Sequence, residues 1–473
     1  MSLIKSISGI RGTVGGPAGD NLTPLDTVRF VAAYSIFLKQ NNPDIKIRVV
    51  IGRDGRISGP MFRDLTIGTL LSQGIDVIDL EMATTPTVEI AVMKLKAQGG
   101  IILTASHNLG GWNALKLLNA AGEFLTADDG RKILELADKT DLNFETEDNL
   151  GSYSLNQVMA AEHLEDILKL SLVNKKKIAA RDFKIVVDGI NSIGGVMVPK
   201  LLKLLGVSEV IELNCESNGK FAHRPEPLDE NLTEIKARVI AAKADLGIVI
   251  DPDVDRLAFI DENGAMFGEE YTLVAVAEYV LKNFTAINAA NPGKYDKATV
   301  SNLSSSRALK DITEQVGGKY EAAAVGEVNV VKKMRELKAI IGGEGNGGVI
   351  FPEFHCGRDA LVGIALFLSA LVENGQTMSD YKKSFPDYFM IKDKIELTAG
   401  LDLPKLLSRI KDVYKTEKIT DIDGIKIDWP DSWVHLRASN TEPIIRIYAE
   451  AKDKEIAVAK IREIKEKILA YIK

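Results

Sequence analysis

The chain is predicted to be a multidomain α/β protein, with three similar α/β domains followed by a smaller α+β domain. Three observations predict this. At 473 residues it is about three times the length of a typical single domain. A strand–loop–helix–glycine–strand pattern occurs three times. After residues 374–390 the pattern gives way to separate strand-like segments and one long charged helix.

The elements follow in order. Thr23 and Pro24 cap a first helix, with Leu25, Val28, Ala32 and Ile36 proposed as its apolar face. Residues 47–51 (IRVVI) read as a buried strand, followed by a loop over 52–58, an amphipathic helix to about Gln73, then Gly74 and a strand over 75–80. Residues 139–157 are polar and mark a boundary; the next helix carries Ala160, Leu164, Ile167, Leu168 and Leu172 at helical spacing. The pattern returns at 184–187, with a loop to Gly195, a helix to Leu205, Gly206 and a strand over 210–213. It returns again at 298–301, with a helix to about Val316, Gly317–Gly318 and a strand to about Val325. In each copy a glycine stands where a left-handed helix stop is needed.

Each copy then adds a short apolar strand that runs into an unusual loop: 101–103 into 104–108 (TASHN), 247–250 into 251–256 (DPDVDR), and 339–341 into 343–348 (GEGNGG). Ligands gather at the carboxyl ends of strands in open α/β sheets, so three loops of this kind could serve one cleft. Ordinary α/β proteins also repeat βαβ units, so the pattern alone leaves triplication open. Residues 360–372 are apolar but too few to span a bilayer and read as a buried helix. The last stretch has strands near 391–397 and 444–449 and a closing helix over 453–472. The expected domains are 1–150, 151–258, 259–375 and 376–473.

Composition narrows the function. The chain is 45% apolar and 26% charged, with 39 Gly and 15 Pro, which excludes disordered, collagenous and disulfide-stapled classes. Lys and Arg total 59 against 66 Asp and Glu, a net charge of −7 that argues against nucleic-acid or anionic-membrane partners. Two cysteines, Cys215 and Cys356, and the lack of an apolar export segment near the start lead us to expect a cytoplasmic protein.

The loops carry the chemistry. Ser106, beside His107 and Asn108 after a buried strand, could be a nucleophile or phosphate carrier, or simply part of a polar turn. No G-x-S-x-G elbow surrounds it, and with five His in the chain a hydrolase has little else to support it. Asp251, Asp253 and Asp255 alternate, so they converge if the segment stays extended; three such carboxylates repel one another unless a cation sits between them, and oxygen-only ligands suit Mg²⁺. The alternative is a solvated acidic turn. An EF-hand would need Gly where Arg256 stands, and a haloacid-dehalogenase-type loop would need Thr or Val where Asp255 stands. Glu344 and Asn346 among glycines suit hydrogen bonds to sugar hydroxyls, or a flexible turn. Residues 437–443 (RASNTEP), before a strand containing Arg446, mix a guanidinium, hydroxyls and an amide that suit a phosphate dianion, with a capped surface turn as the alternative.

These loops, in this order and together with 10–12 (IRG) and 52–54 (GRD), resemble the α-D-phosphohexomutase superfamily along essentially the whole chain. The resemblance implies three α/β domains with mixed sheets flanked by helices, and a fourth, TATA-box-binding-protein-like domain, around a central cleft. It implies that Ser106 is phosphorylated and that Asp251, Asp253 and Asp255 hold Mg²⁺ with the phosphoserine. Arg11, Arg256 and His107 would surround the transferring phosphoryl, and Lys116 would help proton transfer. Glu344 and Asn346 would grip sugar hydroxyls, while Arg437, Ser439, Asn440, Thr441 and Arg446 would bind the phosphate that is not reacting.

The implied reaction interconverts hexose 6-phosphate and hexose 1-phosphate through a 1,6-bisphosphate, which also serves as activator, in a monomer or homodimer with a mobile fourth domain. The chain departs from the common pattern at Leu109, at 112–114 (WNA), at Val328, and at Asn346 and Gly348, where many relatives carry Ser and His. These departures fall on substrate recognition. The loop 344–348 and residues 438–443 look most like the archaeal-type phosphoglucosamine mutases, with mannose and glucose phosphates as the alternative substrates. An inactive sugar-phosphate-binding relative is the competing class, and the presence of Ser106, the three aspartates and Lys116 argues against it.

Overall fold

A computed structural model describes residues 3–6, 9–139, 142–396, 403–438 and 444–472. Its contacts divide the chain into two compact units, Met1–Tyr279 with Asn346–Tyr381, and Val280–Gly345 with Lys382–Lys473.

The first unit holds two sheets. The larger has strand order Ile4–Ser6, Gly9–Thr13, Trp112–Leu118, Gly99–Leu103, Arg48–Arg53, Asp76–Met82, Tyr153–Leu155. It is mixed: Arg48–Arg53 runs parallel to both Gly99–Leu103 and Asp76–Met82, whereas Trp112–Leu118 is antiparallel to its neighbours. The edge strand Tyr153–Leu155 arises from the polar stretch read as a boundary. The second sheet orders Leu257–Asp261, Leu246–Ile250, Lys184–Asp188 and Glu209–Leu213, with only the first pair antiparallel. Gly100, Ile101 and Leu103 and the whole of Leu246–Ile250 are buried, as strands covered on both faces must be.

The glycine stops do what their position demands. Gly74, Gly206 and Gly317 have φ of +69°, +87° and +72°, which a side chain would resist. Thr23 caps the helix Pro24–Asn41 through a capping box with Asp26. The expected apolar face of that helix holds only in part: Ala32 is buried and Ile36 packs against the core, but the face is not centred there. Leu25 is 71% exposed, and the buried face runs through Phe30, Tyr34 and Phe37 at i, i+4 and i+7, where three rings fill the layer under the sheet. The next helix spans Met159–Lys169, so Leu172 is buried beyond its end. The apolar run forms the buried helix Ala360–Asn374.

The second unit also holds two sheets. Lys319–Ala323, Asp296–Asn302 and Ala339–Glu344 pair in parallel in that order. The C-terminal sheet is wholly antiparallel: Phe389–Glu396, Ile444–Ala451, Ser432–Ala438, Ile425–Asp428, Lys418–Thr420. Helices Leu403–Val413 and Lys454–Ile472 belong to this layer, and Ile410, Ile464 and Ile468 pack in one core with Val434, Ile445 and Ile447. Three of its strands and one helix were not anticipated. Among the described residues, no helix is long and apolar enough to cross a membrane.

Candidate active site

Ser106 follows the buried strand Gly99–Leu103 and adopts a left-handed backbone, φ +46°. For a residue with a Cβ this conformation costs about 1–2 kcal/mol, so the surroundings must hold it. They do. The Ser106 N–H donates to the Thr104 hydroxyl at 3.0 Å, which donates to Asp54 Oδ2 at 2.7 Å. Arg56, fully buried, spends every guanidinium N–H on this loop: on Asp54 Oδ2 (2.9 Å), on the carbonyls of Leu109 (2.7 Å), Trp112 (3.1 Å) and Asn108 (2.7 Å), and on that of Ser106. The Ser106 hydroxyl donates to Asp251 Oδ2 at 2.7 Å.

The three aspartates do converge, but not through an extended segment. Residues 251–256 form a turn, closed by Val254 N to the Asp251 carbonyl at 3.1 Å, with Val254 itself at φ +64°. A β-branched residue in that region is a backbone outlier and needs external support. Ser192 gives it, accepting from Gly55 N at 2.9 Å and donating to the Pro252 carbonyl at 2.6 Å. Thr85 adds its hydroxyl to Asp253 Oδ2 at 2.6 Å and its N–H to the Asp253 carbonyl at 2.9 Å.

One oxygen from each carboxylate lies within 4.8 Å of the other two, and all three residues are fully buried. Oδ1 of Asp253 and Oδ1 of Asp255 have no hydrogen-bond partner. Burial and the neighbouring Asp255 and Asp253 push the Asp251 carboxyl well above its usual range. The two open oxygens leave this cluster able to take a cation beside its basic neighbours, and an all-oxygen donor set fits a hard divalent metal.

Lys116, on the strand Trp112–Leu118, reaches Asp253 Oδ2 at 2.7 Å and Asp255 Oδ2 at 3.6 Å. Burial disfavours its charge, but the two carboxylates outweigh that and raise its pKa. Arg256 lies 3.8 Å from Asp255 Oδ1 and 3.7 Å from Glu226, and Arg11 donates to Asn108 Oδ1 at 3.3 Å. His107 is held neutral, well below the ordinary imidazole range, first by Arg256 and then by burial and Arg11. Its Nδ1 and the Asn346 Oδ1 are buried without a partner.

The Gly348 departure has a steric account. A Cβ there would lie 2.3 Å from Arg358 Cδ, because the Arg358 side chain passes through that space to Asp255 Oδ2, 2.6 Å from Nη2.

In the second unit, Glu344 ends the strand Ala339–Glu344 and accepts from Asn302 Nδ2 at 2.8 Å and Gly326 N at 3.1 Å. Arg437 and Arg446 face each other across adjacent antiparallel strands, and Lys394 faces Arg446 on the other side. Asp423 Oδ2 lies 3.3 Å from Arg437 Nε. Ser439, Asn440 and Thr441 lie outside the described residues.

Sequence reasoning missed Arg56, Thr85, Ser192, Asn302, Arg358 and Lys394. A buried hydroxyl, carboxylates able to share a cation, and several basic side chains together make the class of centre that handles phosphoryl groups.

Comparison with known proteins is specific. Four family models match in succession: phosphoglucomutase/phosphomannomutase α/β/α domain I over residues 3–144, domain II over 161–264, domain III over 268–389 and the C-terminal domain over 394–467. A phosphoglucomutase/phosphomannomutase of Thermococcus kodakarensis is 34% identical over 94% of this chain and 95% of its own. A phosphoglucosamine/phosphogalactosamine mutase of Sulfurisphaera tokodaii is 30% identical over 98% of this chain and 99% of its own. The crystal structure of a Burkholderia thailandensis phosphoglucomutase/phosphomannomutase family protein superimposes with a TM-score of 0.83 at 25% identity, covering 99% of this chain and 97% of that one. The chain belongs to the phosphoglucomutase/phosphomannomutase family, and it is a phosphohexomutase, an isomerase.

Proposed function

We propose that this phosphohexomutase interconverts glucosamine 6-phosphate and glucosamine 1-phosphate through a phosphoserine at Ser106 and a hexose 1,6-bisphosphate. The observation that carries the reading is the Ser106 hydroxyl, 2.7 Å from Asp251 in the carboxylate triad. Asp251, Asp253 and Asp255 would hold Mg²⁺, which when bound would neutralise charge on the phosphoryl oxygens.

In the first transfer a sugar hydroxyl oxygen bonds to the phosphorus on Ser106, and the bond from phosphorus to Ser106 Oγ breaks. Asp253 and Asp255 hold Lys116 as an ammonium, so it acts by exchange: it gives a proton to the Ser106 oxygen that leaves and takes up the sugar hydroxyl proton in its place. The bisphosphate turns over, its other phosphoryl moves to Ser106 Oγ, and the exchange runs in reverse, the Ser106 proton replacing the one that Lys116 gives to the departing sugar oxygen. Arg11 and Arg256 balance the charge of the moving group, and neutral His107 offers it a hydrogen bond. Glu344 and Asn346 bind sugar hydroxyls. Arg437 and Arg446 bind the other phosphate, with Ser439, Asn440 and Thr441 assigned there by the sequence.

The loop Glu344–Gly–Asn–Gly–Gly348 supports the amino sugar, as does the similarity to the Sulfurisphaera phosphoglucosamine/phosphogalactosamine mutase. The Thermococcus relative favours glucose or mannose phosphates as a second reading. Turnover of glucosamine, mannose and glucose 6-phosphates is compared in parallel, with Mg²⁺ and a trace of hexose 1,6-bisphosphate, beside Ser106→Ala. The expected result is preference for glucosamine 6-phosphate, phosphorylation on the Ser106 peptide, and loss of both in the variant. Preference for mannose or glucose would move the assignment to the second reading. Full turnover by Ser106→Ala would overturn the phosphoserine.

A further inference from the structure

We infer that Arg358 contacts the phosphoryl group in transfer, as a catalytic residue of this site that the loop motifs do not contain. The inference rests on the phosphoserine reading above.

Three observations carry it. First, the Arg358 side chain is 7% exposed as a residue and ends on Asp255 Oδ2 at 2.6 Å, while Ser106 ends on Asp251 Oδ2 at 2.7 Å. The guanidinium and the serine oxygen thus sit on two carboxylates of one cluster. Arg358 also contributes to the field that depresses His107 and opposes charge on Lys116.

Second, the neighbouring loop makes room for this side chain. A Cβ at Gly348 would meet Arg358 Cδ at 2.3 Å and Cγ at 3.1 Å. Gly348 has an ordinary negative-φ backbone, so glycine is required there for space rather than for conformation.

Third, the backbone that carries Arg358 is held from several directions. Asp359 Oδ1 caps the helix Ala360–Asn374, accepting from Leu361 N at 2.8 Å and Val362 N at 3.2 Å. Its Oδ2 accepts from His163 Nε2 at 2.9 Å and His355 Nε2 at 3.2 Å, and its own N–H donates to the Val349 carbonyl at 2.9 Å. His163 Nδ1 is 2.9 Å from the Thr87 hydroxyl. Two of the five histidines are therefore buried in a brace next to Arg358. A planar fork held this firmly suits phosphoryl oxygens, which it can bind in a bidentate manner.

The test is single-turnover transfer from the phosphorylated enzyme to hexose 6-phosphate, read as loss of the phosphoryl from the intact protein. It is run for wild type, Arg358→Lys, Arg358→Met and Gly348→Ala. Melting temperature and the Mg²⁺ concentration for half-maximal thermal shift are measured on each. Arg358→Met is expected to slow transfer about 100-fold. Arg358→Lys should slow it at least about tenfold, because the ammonium lacks the fork. Gly348→Ala should slow it while keeping every charge. Wild-type folding and an Mg²⁺ midpoint within about threefold are expected for Arg358→Lys.

Transfer by Arg358→Lys and Arg358→Met within threefold of wild type would overturn the inference, as would a loss explained wholly by a shifted Mg²⁺ midpoint. If wild type itself cannot be phosphorylated on Ser106, it is the phosphoserine reading that fails.

Discussion

Arg56 and Ser106 are joined by a hydrogen bond from a fully buried guanidinium to the carbonyl of a serine whose φ is +46°. The contact braces the left-handed backbone of the loop that carries Ser106. Arg56 also binds the carbonyls of Asn108, Leu109 and Trp112, so its loss would take a donor from four carbonyls and the counter-ion from the buried Asp54. Arg56→Met should therefore lower unfolding free energy by about 3–5 kcal/mol, as for other broken buried pairs. Arg56→Lys should fold better, yet transfer phosphoryl about 100-fold more slowly, because one ammonium cannot hold all those acceptors. Urea denaturation and steady-state rates on the two variants check both halves. A lysine variant with full kcat would show that Ser106 holds its conformation unaided.

The carboxylate triad makes a second prediction. Among the described residues, Asp253 Oδ1 and Asp255 Oδ1 are buried without a hydrogen-bond partner, so a divalent ion that binds there stabilises the native state alone. At a hundred times its dissociation constant, Mg²⁺ should add about 2.7 kcal/mol. A rise of several degrees in melting temperature is the expected observation, reversed by a chelator and abolished in Asp255→Asn. An unchanged shift in that variant would place the ion elsewhere.

Legibility differed between these two layers. The strand–loop–helix–glycine–strand copies could be read because Gly74, Gly206 and Gly317 each mark a left-handed stop, a local requirement visible in local sequence. Ser106 and the aspartates were visible for the same reason: each motif is contiguous. What lay hidden was contributed from afar by ordinary residue types. Thr85 reaches Asp253 across 168 positions and Arg358 reaches Asp255 across 103, and nothing near either residue announces it. The aspartates were expected to meet by strand alternation. They meet through a turn, because Val254 at φ +64° reverses the chain, and no propensity rule would put a valine there. Leu25 misled for a related reason: helical periodicity offered two candidate faces, and the rings of Phe30, Tyr34 and Phe37 won the burial.

A third prediction concerns Lys394, Arg446 and Arg437, which stand opposite one another on three neighbouring antiparallel strands. Like charges placed this way destabilise a sheet by a few tenths to about 1 kcal/mol per pair. Asp423 lies beside Arg437, and a bound phosphate dianion would relieve the row further. Arg446→Gln should leave stability unchanged or slightly raised, while KM for the hexose phosphate rises at least about tenfold, as expected for losing a charge-assisted contact. Denaturation and kinetics on the same preparation separate the two effects. A variant that loses stability with KM unchanged would make the row structural.

The fourth prediction is a pH dependence seated in His435. This side chain is 1% exposed, with Nδ1 2.9 Å from the Ser304 hydroxyl and Nε2 donating to the Asp423 carbonyl at 2.7 Å. Burial pushes its pKa down to about 4, with the charges of Lys426 and Arg437 adding to the shift and Asp423 opposing it. In the unfolded chain the ring titrates near the ordinary value of about 6.5. Between the two values the unfolded state binds a proton that the folded state refuses, so stability rises with pH across that window. The contribution is complete above pH 6.5 and disappears progressively as pH falls toward 4, amounting to at most about 3 kcal/mol. His435→Gln can still donate and accept but does not titrate. The difference in urea midpoint between wild type and this variant should therefore shrink as pH drops from 7 to 4.5, while carboxylate titrations common to both proteins cancel. Parallel midpoints across that range would mean that the buried ring takes up its proton as readily folded as unfolded, and that burial places no constraint on its charge.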